Sequence, residues 1–318
     1  MSGTTNWFRH LVLPRFDSIA LGAKRNMSIS NEQVTIRKGE GALVSKEIGV
    51  VHATRPMAFH NTQVIVNADD WGRDYLTTDR AHDCLRAGTV SSVSAMVFMA
   101  DSERAAELAN ERNIDAGLHL NFTMPYSTQS CPPRLKEHQH EIARTLTAHR
   151  FAAALYQPRL TASFEYVVQA QLEEYERLYG APPARIDGHD HRHLCANVLC
   201  QELLPHGCIV RRNLTFNSGE KILLNRLYRR AQDQRLARRH RLADYFYDLH
   251  PVKPAARLQK IFALGARFTV EIETHPIRDE EYRFLMDGEI RQFADEAQVA
   301  KGYLLRSRAS DGTLESLA

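Results

Sequence analysis

The chain has 318 residues, 43% of them hydrophobic, and a formal net charge of +3. That length holds one large domain or two ordinary ones, and so small a charge gives no reason to expect a nucleic-acid partner. The surplus lies in the head: residues 1–60 carry 8 Lys/Arg against 4 Asp/Glu, leaving 33 against 34 in the rest. In chain order, the run "VIVN" predicts a short buried parallel strand over residues 63–67, ending on two adjacent acids, Asp69 and Asp70. Thr77 or Thr78 opens a helix that Gly88 stops. A strand over Val90–Met99, a helix over Asp101–Asn113 and a strand over Asp115–Thr123 follow. This β-α-β-α-β order predicts a parallel α/β core. Thr123–His140, with Pro125, Pro132 and Pro133, reads as a long loop of functional length. Ser163–Gly180 is an amphipathic helix with Ser163 as N-cap and Gly180 as stop. Pro182–Leu194 enters another strand, Cys208–Phe216 forms the next, and Arg267–Pro276 a late one.

Five cysteines (Cys84, Cys131, Cys195, Cys200, Cys208) include no C-x-x-C pair. A reducing, cytoplasmic setting is expected rather than a disulfide framework. No apolar run approaches the ~18–20 residues of a membrane span, so no stable membrane insertion is expected. Arg9, Arg15, Lys24 and Arg25 flank no apolar core, which disfavours a secretory signal. The head reads as a poorly ordered extension, with an organelle transit peptide as the lesser reading. Translation starting at Met27 or Met57 is a further expectation.

Four segments place titratable side chains at the C-terminal end of an apolar run: Asp69 and Asp70; His119; His189, His191 and His193; and His275. In parallel α/β folds those strand ends converge on one face, where ligands bind. If "HDHRH" is extended, His189, His191 and His193 share one side, with Asp190 and Arg192 on the other. Two adjacent like charges oppose each other's ionisation, and a metal ion offsets that cost. Asp with two His holds a divalent ion and leaves positions open for water and substrate. Such an ion lowers the pKa of a bound water to roughly 7, and the second carboxylate can take the water's proton. Each piece alone has a plainer reading: a helix cap for the acids, a hydrogen-bonded core histidine for His119, a loop residue for His275. Gly72, Gly117 and Gly188 lie beside the candidate ligands, where the backbone can approach closely.

The segments "NADDWG", "GLHLNFT", "RIDGHDHRH" and "EIETHP", in that order, resemble the motif set of the YdjC-like carbohydrate deacetylases, the family of the chitooligosaccharide deacetylases. The resemblance runs from about Val64 to Pro276 and does not reach residues 1–60. It implies a distorted, incomplete β/α barrel related to the NodB-type polysaccharide deacetylases. Residues 61–310 are then a single catalytic domain, and 311–318 a tail. The implied activity is removal of N-acetyl groups from an N-acetylglucosamine-containing oligosaccharide or glycolipid, with Mg2+ or Zn2+ as cofactor. By resemblance, Asp69 is the general base, Asp70, His119 and His189 hold the metal, and His275 is the acid. His191 and His193 would hold the sugar or orient a ligand. Arg211, at the end of the "CIV" strand, would hold Asp69 or a substrate hydroxyl, with a surface arginine as the alternative. "THPI" departs from the family's Cys-His-Pro-Gly run, Trp71 replaces a more usual Phe, and Asp190 and Arg192 are unusual. A phosphoesterase using the same site and a silent carbohydrate-binding protein are the competing functions. A homodimer is left open. Lys221–Arg241 has eight Lys/Arg and one acid. It reads first as a solvated helix face and second as a rim for anionic glycan or lipid head groups.

Overall fold

The computed structural model describes residues 63–149, 151–216, 223–293, 295–305, 307–308 and 314–315, all within one compact unit spanning Met57–Ala318. The expected basic extension, Met27 and Met57, and most of the expected tail lie outside the described residues. The chain alternates strand and helix. β1 is Gln63–Trp71, α1 Tyr75–Arg86, β2 Ser92–Ala95, α2 Ser102–Arg112, β3 Ala116–Leu120, α3 Pro133–Thr147, α4 Thr161–Tyr179, β4 Arg185–Gly188, α5 Ala196–Cys200 and β5 Ile209–Val210. After these come α6 Leu223–Leu236, β6 Tyr245–Asp248, α7 Ala255–Leu264, β7 Val270–Thr274, α8 Asp279–Met286 and β8 Gln298–Val299. The main strands are parallel and ordered β5-β4-β3-β2-β1-β7-β6, with β8 pairing the start of β1. Between the two edges there is no continuous ladder among the described residues: an isolated parallel bridge joins Ile209 to Arg241, and Thr215 exchanges hydrogen bonds with Phe246, its N–H donating to Phe246 O at 2.7 Å and its Oγ1 accepting from Phe246 N–H at 3.1 Å. The fold is the distorted, incomplete β/α barrel expected.

β1 forms because Val64, Ile65 and Val66 are β-branched and fully enclosed. The sheet register slips between Ala68 and Trp71, and Asp70 has φ 66. This bulge explains the paired acids: adjacent residues of a regular strand point to opposite faces, and a bulge re-aims one of them. Gly72, at φ +85, completes the turn out of the strand. α1 starts at Tyr75, two residues before the expected Thr77, because the Asp74 side chain caps the Thr77 N–H at 2.8 Å.

Four other expectations need correction. The loop expected over Thr123–His140 becomes α3 from Pro133, a first-turn position proline favours. Leu135, Gln139, Ile142 and Leu146 supply the buried helical stripe, half of which lies beyond His140. Ser163 is not the N-cap of α4: it lies inside the helix, and its hydroxyl donates to Glu141 Oε2 of α3. The strand expected over Cys208–Phe216 pairs only at Ile209–Val210, and that over Val90–Met99 only at Ser92–Ala95. Beyond Ala95 the chain turns, held by the Ser102 hydroxyl between Met99 N–H and Met96 O. All five cysteines are free, and no helix among the described residues is long and apolar enough to cross a membrane.

Candidate metal centre and active site

Asp70 (β1), His119 (β3) and His189 (after β4) meet at the C-terminal end of the barrel, with ligand atoms all within 4.8 Å of one another. Asp70 Oδ1 lies 3.0 Å from His189 Nδ1 and 3.4 Å from His119 Nε2. Donors sharing one ion at about 2.0–2.2 Å must sit roughly 3 Å apart, so these distances suit a common cation. Asp70 Oδ2 is fixed by Arg73 Nη1 at 2.8 Å. Burial would raise Asp70, but the neighbouring His119 and His189 rings outweigh it and hold the carboxyl well below its usual range.

His119 is oriented from behind. Its Nδ1–H donates to Asp187 Oδ1 at 2.8 Å, while Nε2 is buried with no hydrogen-bond partner. An orphaned imidazole nitrogen aimed at a carboxylate and a second histidine is what a metal ligand leaves exposed. Burial would push His119 down; Asp69 and Asp187 outweigh it and raise the ring to about 10. The field that attracts this proton also attracts a metal cation, so the residues present fit a divalent ion. Asp187 is held in turn by the Ser94 hydroxyl at 2.5 Å and Arg211 Nη2 at 2.8 Å. Asp187→Asn is therefore expected to weaken metal binding about 10–100-fold, measured by equilibrium dialysis. Unchanged affinity would remove Asp187 from the orienting role.

Asp69 is buried beside these groups and bound in a fork by Arg211: Nη1 to Oδ2 at 2.6 Å, Nη2 to Oδ1 at 2.8 Å. Asn67 adds a bond to Oδ1 at 2.8 Å. A carboxylate oxygen accepts about two hydrogen bonds, so Oδ1 is filled and Oδ2 keeps one free acceptor position. Arg211 is no surface residue. Only 1% exposed, it also pairs with Asp187, Glu271 and Glu273. Glu271 receives the Tyr303 hydroxyl at 2.5 Å.

The histidine run departs from the extended arrangement expected. His189–Leu194 is no continuous helix but short 3-10 turns broken by a kink, with Asp190 at φ 53 and His191 at φ 55 in the left-handed region, so the alternation fails and the three rings separate. His189 faces Asp70. His191 points to Glu273, its Nε2 3.4 Å from Oε1, and lies edge-on to Phe246. Burial would lower His191, but Glu273 outweighs it and raises the ring. Burial alone would raise Glu273; His191 and Arg211 bring it down to about 2. His193 is fully buried, its Nε2–H donating to the Arg211 carbonyl at 2.9 Å. That places it behind the site, fixing the Arg211 backbone and not meeting a sugar.

Burial pushes His193 down to about 3, against about 6.5 in an unfolded chain. The unfolded chain takes up that proton first, so the stabilisation is complete above about pH 6.5 and drains as pH falls towards 3. His193→Gln keeps a donor and removes the titration. Urea melts should show that it loses less stability than the native chain between about pH 7 and pH 5, by on the order of 2 kcal/mol. Equal losses would contradict this.

His275 follows β7 at the same end. Its N–H donates to Glu281 Oε2 at 2.7 Å, its Nδ1 is buried with no hydrogen-bond partner, and its ring acts electrostatically on Glu273 and Asp248. Sequence reasoning missed Arg73, Asp187, Glu271 and Glu273. The available signal was that Asp187 and Glu273 stand inside the motifs "RIDGHDHRH" and "EIETHP".

The family model for YdjC-like proteins matches residues 63–298. The chain belongs to the YdjC-like family. Among relatives of this YdjC-like chain, a carbohydrate deacetylase of Mus musculus is 31% identical over 157 residues, covering 46% of this chain and 47% of that protein. A chitooligosaccharide deacetylase of Yersinia pestis (strain Pestoides F) is 31% identical over 138 residues, covering 42% of this chain and 52% of that protein. The YdjC-like chain thus spans about half the length of the curated relatives it matches. Its fold is shared with a solved protein of Enterococcus faecalis V583, titled a candidate cellobiose-phosphate cleavage protein. The TM-score is 0.55 at 17% identity, over 76% of this chain and 97% of that one.

Proposed function

We propose that this YdjC-like protein is a metal-dependent hydrolase that removes N-acetyl groups from N-acetylglucosamine-containing oligosaccharides or glycolipids. The observation that carries the reading is one shared site: Asp70, His119 and His189 converge, with the Arg211-held Asp69 alongside. The deacetylase names of the mouse and Yersinia relatives support the substrate class. A divalent ion, Zn2+ or Mg2+, would be held by Asp70, His119 and His189, and would polarise the acetyl carbonyl and make water nucleophilic near neutral pH.

The chain's own residues do the rest. Asp69 takes a proton from the attacking water at its open Oδ2 position, and Arg211 keeps that carboxylate aimed. The nitrogen cannot leave as an amide anion, so it must be protonated, and His275 is the donor. His191, a third exposed beside Glu273, is the histidine of the run that would meet the sugar. A cytoplasmic location accords with the five free thiols.

Incubation with N-acetylated chitooligosaccharides should release acetate and primary amine in equal amounts. A chelator should stop the reaction, and Zn2+ or Mg2+ should restore it. Phosphate release from sugar phosphate monoesters would assign the site to a phosphoesterase instead. Sugar binding without turnover would make the chain a carbohydrate-binding protein.

A further inference from the structure

The function above uses the ends of the strands and leaves α6 unexplained. Leu223, Leu224, Leu227 and Tyr228 are 67%, 74%, 53% and 43% exposed. Their spacing, i, i+1, i+4 and i+5, puts them on one face of the helix. A surface helix normally turns such a stripe inward; here the buried positions of α6 are Asp233 and Leu236. Cations border the stripe. Arg226 and Arg230 make no ion pair or hydrogen bond with any described residue. The one acid of the helix, Asp233, is occupied by Arg212 at 2.9 Å and by Asn213. The helix therefore offers positive charge around an apolar face.

Position adds a second argument. α6 follows the C-terminal end of β5 and runs back along it. Arg229 at its middle bonds Asn213, just past β5, and Arg239 beyond its end meets Gly207, just before β5, so the turns ahead of Arg229 extend beyond the C-terminal end of β5. The leucines therefore lie at the end of the barrel that carries Asp70, His119 and His189. Leucines do not recognise a glycan, which is bound by hydrogen bonds and flat aromatic rings. A solvent-facing apolar stripe flanked by arginines is the pattern of a helix lying in a membrane interface, with headgroup phosphates meeting the cations.

We infer that α6 docks the chain on an anionic phospholipid surface, inserting Leu223, Leu224 and Leu227 and pairing Arg226 and Arg230 with headgroups. The inference does not depend on the deacetylase reading. It is tested by floating the full chain with phosphatidylcholine vesicles with and without phosphatidylserine. The expected result is flotation with the serine-containing vesicles, weakened by salt. The triple variant Leu223→Ser/Leu224→Ser/Leu227→Ser should abolish it. Arg226→Glu/Arg230→Glu should weaken it by at least about tenfold. The three leucines are more than half exposed, and the two arginines make no ion pair or hydrogen bond with any described residue, so circular dichroism should show both variants folded. Three results would overturn the inference. One is no flotation with any vesicle. Another is flotation unaffected by the leucine variant, which would assign membrane binding to another basic segment. The third is a leucine-dependent dimer in light scattering without vesicle binding, which would assign the stripe to a second copy of the chain.

Discussion

Asp69→Asn is expected to lower turnover by about 1,000-fold or more while leaving metal affinity close to native. The carboxylate lies next to the candidate ligands but outside the Asp70–His119–His189 set, and its open Oδ2 position is its only spare acceptor. Asparagine removes the charge and turns an NH2 group towards the Arg211 fork, so part of the loss is orientational. A pH profile separates the two effects. If Asp69 is the base, the acidic limb of kcat/KM that reports its protonation disappears in the variant. A merely structural role would lower the whole profile and leave its shape. Full activity in the variant would remove Asp69 from the chemistry.

Arg211→Met is expected to be the most destabilising single change, at about 3–5 kcal/mol. The guanidinium is the common partner of Asp69, Asp187, Glu271 and Glu273, all of them buried. Removing it leaves buried carboxylates without their counter-charge, which costs far more than the pairing itself contributes. The sign of the pH effect follows. Burial would raise Asp187, and Arg211 is the largest influence holding it below the usual range; Arg211 also helps bring Glu273 to about 2. Without Arg211 those carboxyls rise, so the folded variant binds protons that the unfolded chain binds only at lower pH. The variant should gain stability relative to the native protein as pH falls from about 7 to about 5. Chemical denaturation at both pH values checks this. A variant as stable as the native protein at neutral pH would contradict the account of the barrel interior. If the variant cannot be purified folded, Arg211→Lys, which keeps the charge but loses the fork, should fold with a reduced midpoint.

Much of the site was legible because strand ends are recognisable in sequence. "VIVNADDWG", "GLHL" and "RIDGH" each couple an apolar run to a ligand-bearing terminus, and parallel topology brings such termini together. The paired acids were visible, but the bulge that lets both serve one site was not. It depends on Asp70 taking φ 66, a backbone state no side-chain pattern announces. The histidine run misled for a related reason. Alternation assumes an extended chain, while Asp190 and His191 turn left-handed and fold the segment back over Gly188. A Cβ on Gly188 would meet Leu120 O at 3.0 Å and His193 Cβ at 3.1 Å. Glu271 and Glu273 alternate with Val270 and Ile272, the pattern of a strand with one polar face. In a barrel both faces of a strand are covered, so the polar face of β7 became a charged interior around Arg211. For Arg211 the strand-end position suggested a hold on Asp69, which the fork shows, but its full burial was not legible, because its partners come from three other strands.

The central claim is that Asp70, His119 and His189 hold one divalent cation. Equilibrium dialysis of Zn2+ and Mg2+ against the metal-stripped chain and its Asp70→Ala variant tests it most directly. Tight, stoichiometric binding by the native chain, lost in the variant, is the predicted result. Equal binding by both chains, or none by the native chain, would contradict it.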